Sequence, residues 1–368
     1  AEAWKQAGKL YTMAGLSARD RDTKQQRFTE TIGSYKKYLD LAQDSSDGEI
    51  FFNLGRAYFN LGGFAPADSA FEYVLSLGDV PKNIYLYLGR GYIGEENYEL
   101  GIQYMKQHLD WLKEQDTDWE PGTADADIFR RIADGYKALK DNAGSAEFYV
   151  KAAELDTTNA RYAVQAAVSF HQLKEYADAL MYYERRIVIG PDSWNIYMNA
   201  ALCQLNLEDF EMAIDYLLKV VELKPDHAKA YALLSNTYLD PMADCEKGVE
   251  WTTKLYDLDT TNCDALKSLG FAYFAGACPP QYLTAVTKFR KALSCYKAKG
   301  MDNCGNTDLI VYIAQAYHLY AAEMAEADKK DESKKHFKNA YDWYQKCLKC
   351  DPGNAECKKG VKDTEFEY

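Results

Sequence analysis

The stretch Trp194–His227 reads WNIYMNAALCQLNLEDFEMAIDYLLKVVELKPDH, and the rest of the chain can be laid out from it. Tyr197, Ala200 and Ala201 share one face of a first amphipathic helix. Ala213, Leu217 and Val220 share one face of a second. The acidic segment Leu207-Glu208-Asp209 links the two. Pro225 stops the second helix, because proline has no N–H to donate and its ring clashes with the preceding turn. Pro191 does the same 225 − 191 = 34 residues earlier, so the block is one period of a repeat.

The 368-residue chain is too long for one ordinary core, and 47% hydrophobic with 27% charged residues is the composition of a folded protein. A net charge of −13 argues against a nucleic-acid or anionic-membrane partner, since neutralising phosphates requires a surplus of Lys and Arg. No apolar run approaches the roughly 20 residues of a membrane span, so direct membrane insertion is not expected. No signal peptide is visible, although a chain that begins at Ala1 leaves room for a removed leader.

Units of the same kind are expected near residues 1–47, 48–81, 82–125, 126–159, 160–193, 194–227, 228–262, 263–306 and 307–354, with a charged helix over 355–368. The string Leu-Gly-Arg recurs at Leu54-Gly55-Arg56 and at Leu88-Gly89-Arg90. Within a unit, positions 4, 7 and 11 are large and 8 is small. Position 20 is small again, and 24 is large or aromatic. Small residues let the two helices of a hairpin approach, and large ones fill the space between hairpins. A charged insert, Arg19 to Lys24, delays the second helix of the first unit to about Ile32–Leu41. An acidic, Trp-bearing loop from Trp111 to Pro121 lengthens the third. A polar extension, Glu323 to Lys335, lengthens the helices of the ninth. A generic helical bundle would show the same local spacings, but not a constant long-range phase.

This pattern resembles the tetratricopeptide repeat family over nearly the whole chain. The resemblance implies an all-α, right-handed superhelical solenoid of about nine helix-turn-helix repeats. It also implies a protein or peptide partner held in a concave groove lined by first helices. On that reading the groove residues include Phe52, Asn53, Arg56, Phe59, Tyr87, Arg90, Arg130, Asp134, Asn199, Lys229, Asn236 and Phe271. Some members use a carboxylate clamp for a chaperone's C-terminal tail. Lys5 and Asn53 fit it, but Lys9 and Tyr87 do not, and around Asn199 and Lys229 it is again incomplete. No such clamp is expected. Lys5, Lys9, Asn53, Arg56 and Arg90 could still take an acidic segment in another geometry.

Catalysis is not expected. The five histidines are scattered, no HExxH or phosphate-binding glycine motif occurs, and no cofactor or metal is called for. All nine cysteines follow residue 200. Cys347-x-x-Cys350 lies within a helix and lacks a partner pair, which disfavours zinc. Disulfides are expected instead: Cys245–Cys278 first, then Cys295–Cys304 and Cys350–Cys357, with Cys203 a core thiol. Bridges would place the chain in the periplasm or outside the cell; reduced thiols would make it cytoplasmic. The expected function is a non-enzymatic scaffold within a larger assembly. A self-associating structural subunit and the recruiting arm of an enzyme complex are the alternatives.

Overall fold

The computed structural model describes residues 1–42, 46–78, 80–276 and 279–368, and no strand occurs among them. Among the described residues eighteen α-helices pair as hairpins, and a nineteenth follows. They fall into two compact units, Ala1–Gly190 and Pro191–Tyr368. The first unit holds α1 (Glu2–Ser17) with α2 (Arg21–Leu41), α3 (Gly48–Asn60) with α4 (Phe64–Ser76), α5 (Ile84–Gly94) with α6 (Tyr98–Gln115), α7 (Ala126–Ala138) with α8 (Asn142–Leu155), and α9 (Ala160–Leu173) with α10 (Tyr176–Ile189). The second holds α11 (Trp194–Asn206) with α12 (Phe210–Leu223), α13 (Ala228–Leu239) with α14 (Cys245–Leu258), α15 (Cys263–Phe271) with α16 (Tyr282–Ala298), α17 (Thr307–Glu326) with α18 (Lys330–Cys350), and α19 (Ala355–Thr364). Within each unit the partners of a hairpin pack together, and each hairpin packs on the next.

The alternation of small and large residues explains how closely the helices approach. A Cβ on Gly55 of α3 would lie 2.5 Å from the Phe71 ring of α4, and one on Gly270 would lie 2.4 Å from Phe289. Both rings are fully buried. Truncating such a ring to Ala removes a large apolar surface and leaves a cavity, which costs about 3–5 kcal/mol. Asp and Asn cap many of the helices: Asp20, Asp47, Asn97, Asp141, Asp209 and Asn262 each accept from a backbone N–H of the following first turn.

The hairpin turn contains a feature the residue pattern hides. Gly62, Glu96, Lys140, Lys174 and Glu208 all have φ between 61° and 80°. Counted from the starts 48, 82, 126, 160 and 194, each is position 15. Four of the five carry a side chain, at a cost of about 1–2 kcal/mol each against the right-handed conformation.

Three expectations are corrected. Arg21–Lys24 do not delay the second helix but form its first turn, because the Asp20 carboxylate caps Thr23 N at 2.7 Å. Trp111 belongs to α6, where it stacks on His108 with centroids 6.3 Å apart, so the loop begins only at Asp116. The disulfide partners also differ. Cys295 bonds Cys263 rather than Cys304, Cys304 bonds Cys350, and Cys357 bonds Cys347 rather than Cys350, at Cα separations of 5.6, 5.1 and 6.3 Å. In an antiparallel hairpin the start of the first helix lies beside the end of the second. The first two bridges therefore staple the open ends of α15/α16 and of the α17/α18 hairpin, and the third ties α19 to α18. Cys347 and Cys350 enter separate bridges, which leaves no thiolate pair for a metal. The expected Cys245–Cys278 bridge lies outside the described residues, because Cys278 does. Cys203 is a buried thiol, and burial pushes its pKa up to about 12.

In the chain-entropy account, bridges closing 32 and 46 residues contribute about 4 kcal/mol each. Reduction should therefore lower amide-exchange protection across residues 263–357 and leave residues 1–190 unchanged. Exchange mass spectrometry with and without reductant will read this. Equal protection of residues 263–357 in both states would show that the bridges do not support the fold.

Candidate functional site

In the first unit the first helices α1, α3 and α5 touch in sequence and form one face. Tyr87 of α5 reaches α3. Its ring packs edge-on against Phe59 at 5.3 Å and Phe52 at 6.2 Å, and stacks on Phe71 at 5.3 Å. The two arginines, 34 residues apart at the same repeat position, both overlie this cluster. Arg56 lies 5.5 Å from the Phe52 centroid, and Arg90 lies 5.1 Å from that of Phe59. The Nε of each is buried without a hydrogen-bond partner. Arg56 has one long contact, donating to Asn53 Oδ1 at 3.5 Å. Neither forms an ion pair among the described residues. Burial pushes the Arg90 pKa down, Arg131 adds to this, and Asp127 opposes it.

The other residues named for this face are engaged internally. Asn53 is buried and donates to the Tyr35 hydroxyl at 3.3 Å. Lys5 pairs with Asp47 at 2.5 Å and Lys9 with Glu49 at 2.9 Å. On α7, Arg130 pairs with Asp127 at 2.8 Å and with Asp134, which also accepts from the Tyr149 hydroxyl. Arg131 takes the second oxygen of Asp127 at 2.6 Å. Burial would raise the Asp127 pKa, but hydrogen bonds from Arg131 and Arg130 hold it below the usual carboxylate range. The network on α7 is thus self-neutralised.

In the second unit, Asn199 of α11 is half-buried, and Lys229 and Asn236 of α13 are exposed. Asn236 borders a shallow depression of about 430 Å³ with Leu205, Leu233 and Pro241. Phe271 is committed to packing, edge-on to Tyr312 at 4.6 Å and to Phe289 at 5.1 Å. A cavity of about 390 Å³ opens between α17 and α19, lined by Phe274, Gln315, His318, Tyr344, Glu356 and Asp363 among others. His318 Nδ1 lies 3.5 Å from the Tyr344 hydroxyl, and burial pushes the imidazole pKa below its ordinary value. The charged composition of α19 had not marked it as a wall of this cavity.

The family model described as Tetratricopeptide repeat matches residues 195–227, which are α11 and α12 with the turns that follow. That hairpin is a tetratricopeptide repeat. The described fold is an all-α array of repeated helical hairpins. Similar solved structures include MamA from Desulfovibrio magneticus RS-1, at 21% identity and TM-score 0.41, covering 48% of this chain and 97% of that one. The C-terminal part of a repeat protein from Cytophaga hutchinsonii is 18% identical at TM-score 0.47, covering 72% and 99%. YrrB, described as a TPR protein with an unusual peptide-binding site, is 17% identical at TM-score 0.42, covering 53% and 95%.

One charged group behind this face had no signal in the sequence. Asp68 of α4 is 3% exposed, and neither carboxylate oxygen has a partner. It fits because the neighbour of Arg90 is Gly91, where a Cβ would lie 2.2 Å from the Asp68 carboxylate. Burial, then Glu95 and Glu72, push its pKa up to about 7. A folded-state pKa above the unfolded value means that the protonated acid favours folding below about pH 4. This stability is then lost as pH rises to 7. Asp68→Asn should therefore raise the melting temperature at pH 8, by an amount worth a few kcal/mol, and change it little at pH 4. Melting curves at both pH values check this; an equal shift at the two would mean that ionisation of Asp68 is not the cause.

Proposed function

We propose that the chain is a non-enzymatic scaffold that holds an extended, acidic segment of a partner protein across the α3–α5 face. One observation carries the reading. Arg56 and Arg90 are cations seated over phenyl rings, without an ion pair among the described residues, at the same repeat position in consecutive hairpins. A carboxylate on the ligand would supply the missing charge, and Phe52, Phe59 and Tyr87 would cover its apolar side chains. The three bridges support a place in an oxidising compartment, the periplasm or the exterior.

A second reading, self-association, is favoured by the outer surface of α1. Leu10 and Met13, one turn apart, are 66% and 62% exposed, with Leu16 beyond them at 40%. Another copy, or a further segment, could cover this strip.

Arg56→Glu with Arg90→Glu should weaken binding of an acidic, aromatic-bearing peptide chosen from an array by at least tenfold, read by fluorescence anisotropy. Unchanged affinity would refute the site. If copies cover α1, the mass of the isolated chain should rise with concentration in sedimentation experiments, and Leu10→Gln with Met13→Gln should abolish the rise. A mass independent of concentration would remove the second reading.

A further inference from the structure

The second helices of the last two hairpins enclose a cleft of a different kind from the α3–α5 face. It has a volume of about 280 Å³ and is lined by Arg290, Leu293, Ser294 and Lys297 of α16 and by Trp343 and Lys346 of α18. Three cations converge here and the lining contains no carboxylate. In a chain of net charge −13, α16 carries Lys288, Arg290, Lys291 and Lys297 and no Asp or Glu at all. None of Arg290, Lys297 and Lys346 forms an ion pair among the described residues. Asp342, one turn before Lys346, is exposed and does not pair with it. The Lys346 ammonium lies 4.2 Å from the Trp343 centroid, which fixes it at the cleft wall. Burial, then the charges of Lys297 and Arg290, push the Lys346 pKa down, so the three cations repel one another across the cleft.

We propose that this cleft binds a phosphate or sulfate group, whose oxygens would be held by Arg290, Lys297 and Lys346 beside the Trp343 ring. A guanidinium offers paired donors to a tetrahedral oxyanion, and two ammonium groups add charge without fixing geometry. The Ser294 hydroxyl at the same edge already donates to the Arg290 carbonyl at 3.0 Å, so the three cations carry the site. The site is independent of the peptide face, which lies on first helices of the other unit.

The test is calorimetric titration of the full chain with inorganic phosphate, sulfate, phenyl phosphate and triglutamate. Saturable binding of the phosphorus or sulfur oxyanions is expected. Arg290→Gln with Lys346→Gln should weaken it at least tenfold, and Arg56→Gln with Arg90→Gln should leave it unchanged. Tighter binding of phenyl phosphate than of the free ion would support an ester as the source; equal binding would support the free ion. The indole N–H resonance of Trp343, assigned with Trp343→Phe, should shift on titration of the unaltered chain, a readout that does not depend on the charge variants folding. No saturable binding, an unmoved indole signal, or equal affinity in the Arg290/Lys346 variant would overturn the proposal. Binding of triglutamate alone would overturn it in favour of an acidic peptide.

Discussion

How near the two helices of a hairpin can come sets the spacing of everything else in this chain. Where Phe71 lies over Gly55, the ring occupies the space that any Cβ would take. A methyl group there would push α4 away from α3. The displacement would not stay local, because in a repeat array each hairpin is the platform for the next. Tyr87 reaches the α3 rings only while α5 sits at its present distance, and Arg90 overlies Phe59 for the same reason. The face that carries the two arginines is therefore a consequence of packing between helices that contribute nothing to its charge.

The period and its helices were legible because they depend on residue size, which the sequence displays directly. What was not legible depends on pairing in space. Counted along the repeat, Cys263, Cys295, Cys304, Cys350 and Cys357 all fall near the end where one hairpin passes to the next. Whether Cys295 would meet Cys263 or Cys304 turned on which neighbour at that end stands closer. The antiparallel geometry of a single hairpin decides for Cys263, 32 residues back. The left-handed turn residues were hidden for another reason. Glycine, the usual mark of positive φ, occupies only Gly62, while charged residues occupy the equivalent turns. Asp68 was invisible because an acidic residue on an amphipathic helix is ordinarily read as solvated.

Twelve residues were named for the groove, and their chemical types alone could not rank them. Charge balance does. Arg130 and Asp134 satisfy each other within α7, so a ligand would have to displace a formed pair before gaining anything. Arg56 and Arg90 have given up water at Nε without receiving a partner, so a carboxylate arriving there would recover part of a cost already incurred in folding. The same criterion separates Lys5 and Lys9, which are paired, from the two arginines, which are not.

It also bears on the disulfides. An acidic chain gains little by gathering cations on one helix, and Lys297 and Lys346 stand on neighbouring hairpins, where their charges repel. Cys295 bonds Cys263 two residues before Lys297, and Cys350 bonds Cys304 one turn after Lys346. The bridges join α15 to α16 and the turn before α17 to α18, so each holds the end of a cation-bearing helix. The bridged cysteines of the second unit thus close hairpin ends and tie α19 to α18.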